Sequence, residues 1–201
     1  SEPCTNLPSH SAASDVYKNP PQDTDIDTVR DQFRQNLTEM IRAGRATGAT
    51  VFLCTLPVNL RYEGNSPGRP ITGPEHDSQI RWPQCVHDGY SLYQKQDYKG
   101  AVHQLNSCQH EEALRWTGLS LYALNEVKRA KRLLEQYLEI VPRNRCRPSF
   151  NQVIREVAKA HGTPLIDLEA AAQSVVPDGL PGAEQFVSCC HMNWESQARM
   201  A

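Results

Sequence analysis

One local pattern constrains this chain more than any other, because it occurs twice. Phe33, Leu37, Met40 and Ile41 recur at i, i+4, i+7 and i+8, which marks one face of an amphipathic helix. Asp25 or Asp27 can cap its start and Gly48 can stop it. The apolar run Thr50-Val51-Phe52-Leu53-Cys54-Thr55 follows and ends at Pro57. Much later, Phe150, Val153, Ile154, Val157 and Ala158 stripe a second helix that ends at His161-Gly162. Pro164-Leu165-Ile166-Asp167-Leu168 then reads as a second short strand, leading into a helix from Glu169 to Val175. Short continuous apolar runs placed after helices have the character of buried parallel strands. Two such units predict an α/β fold with a parallel sheet.

The stretch between the two units divides in two. Residues from Pro57 to about Pro83 hold Gly64, Pro67, Gly68, Pro70, Gly73 and Pro74, a turn-rich loop of the kind that borders ligand sites at strand ends. Residues 83–142 carry a helical pattern. Gly118, Ala130 and Pro142 lie twelve apart, with Leu114 before them and Leu121, Leu134 and Tyr137 between them. That is tetratricopeptide-like spacing: a small residue where two helices touch, large apolar residues around it, and a closing proline. Gly89, Leu92, Ala101 and Leu105 form a weaker preceding copy. Two copies are too few for a free-standing array, so an insert is expected. The boundaries are a tail or loop over 1–26, an α/β domain from 27–82 and 143–201, and a helical hairpin insert over 83–142.

The 21 basic and 23 acidic residues nearly balance, and no basic stripe interleaves with aromatics. A nucleic-acid partner is therefore not expected, and no apolar run is long enough for a membrane span. The chain opens Ser1-Glu2-Pro3-Cys4 and closes on a helical pattern, Trp194 to Ala201, that stops short, so either processing or a longer parent chain is expected. Seven cysteines at irregular spacing do not read as a disulfide framework and leave the compartment open. Asn36-Leu37-Thr38 matches a glycosylation sequon but falls inside the first helix, where it reads as a chance match.

The chemistry gathers near the end of the chain, in Phe186-Val187-Ser188-Cys189-Cys190-His191-Met192-Asn193-Trp194. An apolar stretch there gives way to a polar turn and a helix start, a setting where an imidazole can serve as a general base. The plain alternative is a turn or helix-capping histidine. Cys189 or Cys190 beside His191 could be a nucleophile, although adjacent cysteines are more often packing residues. Cys85-x-His87 and Cys108-x-His110, with His103, could supply zinc ligands, but residues two apart on a helix point about 200° apart. Trp82, Trp116, Tyr90, Tyr93 and Tyr98 could line a ligand platform or pack the hairpins.

The order of these elements resembles the GDSL/SGNH hydrolase family, in the branch with tetratricopeptide-like helices inside the hydrolase domain. The likeness rests on Asn36-Leu37 through Thr55-Leu56-Pro57-Val58-Asn59-Leu60, the hairpins, Asn151 through Ile166-Asp167-Leu168, and the Phe-Val-x-x-x-His ending. It covers roughly residues 27 to 201. The resemblance implies a three-layer flavodoxin-like sheet and ester or acyl hydrolysis by a serine nucleophile, without a cofactor. His191 takes the general-base position, and Ser188 stands where the family has an aspartate. The family's Gly-Asp-Ser and Gly-x-Asn-Asp blocks are absent, and Asp77-Ser78 falls out of order. Two functions are therefore expected: a partial or degenerate ester hydrolase acting on a small-molecule ester, or a non-catalytic scaffold whose hairpins bind a protein partner.

Overall fold

A computed structural model of the chain describes residues 25–62, 82–142 and 145–200. Among these the order is α1 (Ile26–Ala46), β1 (Leu53–Cys54), α2 (Gln84–Gln94), α3 (Tyr98–Leu105), α4 (Glu111–Ala123), α5 (Val127–Ile140), α6 (Pro148–Ala160), β2 (Leu165–Ile166), α7 (Leu168–Ser174) and α8 (Trp194–Met200). The Asp25 side chain accepts from the Asp27 N–H to start α1. Gly48 and Gly162, both at positive φ, turn the chain out of α1 and α6 toward the strands.

β1 and β2 pair in parallel, with Leu53 opposite Leu165 and Cys54 opposite Ile166. They form the whole of the two-stranded sheet. The expected three-layer flavodoxin-like fold is therefore incorrect for the described residues: the chain is predominantly helical. The physical reason lies in the strand ends. Pro164 has no N–H to give to a ladder, Asp167 turns its side chain to the Ala170 N–H and starts α7, and Pro57 ends the first run. Each apolar run contributes two paired residues and no more.

α1 and α6 cover one face of this sheet, where Ile41, Val153 and Val157 pack with Phe33, Leu37, Val51 and Leu53. The second core lies in the hairpins α2–α3 and α4–α5. It joins Val86, Tyr90, Ala101, Leu105, Trp116, Leu121, Ala130 and Leu134. Helices approach closely at two glycines: a Cβ on Gly89 would lie 2.3 Å from Leu105 Cγ, and one on Gly118 would lie 2.9 Å from Leu134 Cγ. The aromatic residues serve this core rather than a ligand platform. Tyr90 and Tyr93 rings lie 4.4 and 5.1 Å from Trp116, and Trp82 meets Tyr90 edge-on.

Cys85 and Cys108 form a disulfide that ties α2 to the turn before α4. These two sulfurs are therefore linked to each other rather than offered to zinc, and the irregular cysteine spacing concealed a real crosslink. Inside the second hairpin, Arg115 and Glu112 form a buried ion pair at 3.2 Å, and the Tyr137 hydroxyl donates to Glu112 at 2.6 Å.

Candidate functional site

The chain from Phe186 to Met192 folds back on itself. Phe186 and Met192 form an isolated antiparallel bridge, the Val187 N–H donates to His191 O at 2.9 Å, and the Asn193 N–H donates to Gln185 O at 2.8 Å. Phe186 and Met192 bury with Ala172 of α7, which anchors the loop from below. The Asn59 amide donates to Ser188 O at 3.1 Å and anchors it from the side. Within the turn, Ser188 Oγ accepts from the His191 N–H at 3.2 Å and lies 2.8 Å from His191 Nδ1.

The structure thus brings the two expected site residues together, in a particular sense. Ser188 occupies the Nδ1 side of the imidazole, the side from which a base is oriented. The opposite nitrogen, Nε2, has no hydrogen-bond partner among the described residues. A catalytic dyad needs a nucleophile on that side. A neutral hydroxyl on the other side orients the ring but supplies no charge to stabilise an imidazolium. Cys190 does not fill the vacant role. Burial and the neighbouring Cys189 push its thiol pKa up, opposite to what an activated thiolate requires. Asp77 and Ser78 lie outside the described residues.

A second polar group, not anticipated from the sequence, sits where both strands end. Thr55 Oγ1 donates to Asp167 at 2.8 Å and accepts from the Glu169 N–H at 3.0 Å. Arg155 grips Asp167 through Nε and Nη2, each at 2.8 Å, and reaches Glu169 at 2.7 Å. The Arg155 guanidinium holds the Asp167 carboxyl well below the ordinary carboxylate range. Beside it, the buried Asn151 amide accepts from the Leu56 N–H at 2.9 Å and donates to Leu56 O at 2.8 Å. This two-point bracket stands in for a neighbouring strand. The legible signal was symmetry: Thr55 and Asp167 each follow directly on a two-residue strand, and Asn151 and Arg155 share one helix face. With both oxygens of Asp167 and the Thr55 hydroxyl engaged, the cluster acts as a clamp between β1, α6 and α7.

The side of the sheet left exposed among the described residues is the third feature. Exposure alternates through the run, with Phe52, Cys54 and Leu56 exposed between the more buried Val51, Leu53 and Thr55, and Ile166 pairs with Cys54. Phe52, Leu56 and Ile166 are 54%, 53% and 47% exposed, and Cys54 is exposed as well. The N–H groups of Leu53 and Thr55 bond to Pro164 and Ile166 carbonyls, so the Cys54 backbone between them points to the outer edge. Two surface clefts are lined by residues of α1 and α6, and neither includes Ser188 or His191.

No protein-family model matches the chain, and neither the curated proteins nor the solved structures yield a significant match. Together with the helical architecture, this overturns the resemblance to GDSL/SGNH hydrolases. A flavodoxin-like sheet is not formed by the described residues, so the loop of His191 has no catalytic framework of that kind around it. No helix among the described residues is long and apolar enough to cross a membrane.

Proposed function

We propose that this chain is a non-catalytic protein-interaction scaffold that docks an amphipathic helix of a partner polypeptide on its open sheet face. The observation that carries this reading is the exposed apolar row Phe52, Cys54 and Leu56, with Ile166 paired to Cys54. Parallel strands are ordinarily covered on both faces, most often by helices. Among the described residues α1 and α6 cover one face, and the side chains of the other are exposed. The Asn151 bracket on Leu56 occupies part of the outer edge of β1, which favours a helix laid across the face over a strand added at the edge.

The hairpins serve this scaffold as a buttress. The chain itself covers part of the second hairpin: Leu180 joins the hairpin core, Val58 and Leu60 pack on Leu138, and the Arg145 guanidinium donates to Asn59 O at 3.0 Å. The Tyr122 hydroxyl donates to Asp178 at 2.7 Å and the Arg61 guanidinium lies over the Tyr122 ring. Other exposed apolar side chains, Met40, Ile140 and Trp194, lie on three separate helices, so the row on the sheet is the surface proposed for docking.

A photo-crosslinking residue placed at position 52, 56 or 166, with position 99 on α3 as the hairpin control, tests this directly. The expected products map to an apolar-faced helical peptide of one partner and form at the three sheet positions. Crosslinks confined to position 99, or none above background at the sheet, would refute the proposal.

A further inference from the structure

The turn that holds His191 carries a second chemistry, independent of the docking face. Cys189 and Cys190 are both free thiols, the first half-buried and the second exposed, with their sulfurs 3.7 Å apart. The turn keeps them together. Phe186 and Met192 bridge at its base, and Ser188 Oγ accepts from the Cys190 and His191 N–H groups at 3.5 and 3.2 Å. Cys85 and Cys108, by contrast, are already joined, with Cα atoms 5.8 Å apart. That separation lies inside the 4.4–6.8 Å or so that a disulfide accommodates. Adjacent residues hold their Cα atoms only ~3.8 Å apart, so a bond between Cys189 and Cys190 is strained and readily reduced. Strained, exposed disulfides form the labile class, and relaxed ones the structural class.

We propose that Cys189 and Cys190 form a reversible thiol–disulfide exchange site whose substrate is a small disulfide in solution, of the oxidised-glutathione type. The exposed Cys190 sulfur meets the oxidant first. Its thiolate attacks one sulfur of the small disulfide, a mixed disulfide forms, and one small thiolate leaves. Cys189 then gives up its proton and attacks Cys190 Sγ, from 3.7 Å away before reaction. The Cys189–Cys190 bond forms, the mixed disulfide breaks, and the second small thiolate leaves. The protein dithiol is oxidised by two electrons, the small disulfide is reduced to two thiols, and the protons released by the cysteines return to those thiols.

Cys190 is a slow nucleophile, because burial and the neighbouring Cys189 push its thiol pKa up. Its thiolate is scarce near neutral pH, yet a thiolate of higher pKa is the stronger nucleophile once formed. The second step makes the site selective. A mixed disulfide on Cys190 has Cys189 beside it, so its resolution is intramolecular. Cys54 is exposed too, but among the described residues no second thiol contacts it. An adduct on Cys54 therefore persists where one on Cys190 resolves.

The test equilibrates the full chain, with Cys85–Cys108 intact, in buffers of rising oxidised-to-reduced glutathione ratio. Acid quenching, alkylation and peptide mass mapping then read each cysteine. In wild type the peptide holding Cys189 and Cys190 is expected to lose both alkyl labels and the mass of two hydrogens. Returning the protein to reduced glutathione should restore both labels while Cys85–Cys108 stays joined. Cys189→Ser is expected to stop at a glutathione adduct on Cys190, as Cys54 does in wild type. Because a variant can fail by unfolding, the outcomes that overturn the site are read on wild type. They are both thiols still labelled at the most oxidising ratio, a lasting glutathione adduct on Cys190, or a Cys190-linked dimer. A Cys189–Cys190 bond that resists reduced glutathione as Cys85–Cys108 does would overturn its reversibility.

Discussion

Substituting Gly89 with alanine puts one methyl group into the tightest contact of the first hairpin. The added Cβ would lie 2.3 Å from Leu105 Cγ and 2.4 Å from its Cδ2. Carbon atoms pack at about 3.5–4.0 Å, so α2 and α3 must separate by over an ångström, or Leu105 must leave its rotamer. Leu105 is only 2% exposed, with Ala101 fully buried on the same helix, so it has little room to move. Alanine gains ~1 kcal/mol of helix preference over glycine, while inserting a methyl into a filled core costs about 1–3 kcal/mol. A contact this short places the cost at the upper end, for a net loss of about 1–2 kcal/mol. Urea denaturation followed by circular dichroism, with the disulfide intact, measures it. The Leu105→Ala background removes the clash, and the double-mutant cycle should show a coupling of ~1 kcal/mol or more. A Gly89→Ala protein as stable as wild type would refute the close-packed hairpin.

Other outcomes follow from the same contacts. Replacing Cys85 and Cys108 together with serine releases a crosslink with a sequence separation of 23 and should cost ~3 kcal/mol by loop entropy, read from the denaturation midpoint. Asp167 has its pKa depressed by Arg155, so its contribution is fully present above the unfolded value of ~3.9 and is lost as pH falls below it toward the folded value. Asp167→Asn should therefore lower stability at neutral pH and flatten the fall in stability below about pH 4; an unchanged acid profile would contradict the clamp. Burial pushes the Cys146 thiol up to about 11, so at pH 8 only ~0.1% is thiolate, and Cys146 should alkylate far more slowly than exposed Cys54 in time-resolved mass mapping. Finally, His191→Ala should leave any background hydrolysis of an activated ester unchanged, because Nε2 faces no nucleophile among the described residues.

The sequence was most informative where periodicity is set by one face of one element. The stripe Phe33, Leu37, Ile41 and the stripe Val153, Val157 do meet across the first strand, and Gly89 and Gly118 do mark the helix crossings. Sheet size is a different kind of property. An apolar run such as Val51 to Thr55 has strand character whether it pairs over two residues or six, and pairing depends on neighbours that local pattern does not specify. The resemblance to a hydrolase rested on the order of moderately specific motifs and carried the sheet along with it. The Ser188–His191 contact was legible because it spans three residues of one turn. The Arg155–Asp167 clamp and the Cys85–Cys108 bond were not, since each depends on how separate elements dock.

The docking face is tested most directly by the affinity of the crosslinked partner once it is purified. Burying the exposed half of Phe52 is worth ~1 kcal/mol, and an aspartate there adds the cost of desolvating an unpaired carboxylate. Phe52→Asp is therefore predicted to weaken binding by at least ~100-fold, whereas Lys99→Glu on the hairpin leaves it unchanged. Equal affinity for wild type and Phe52→Asp would contradict the account.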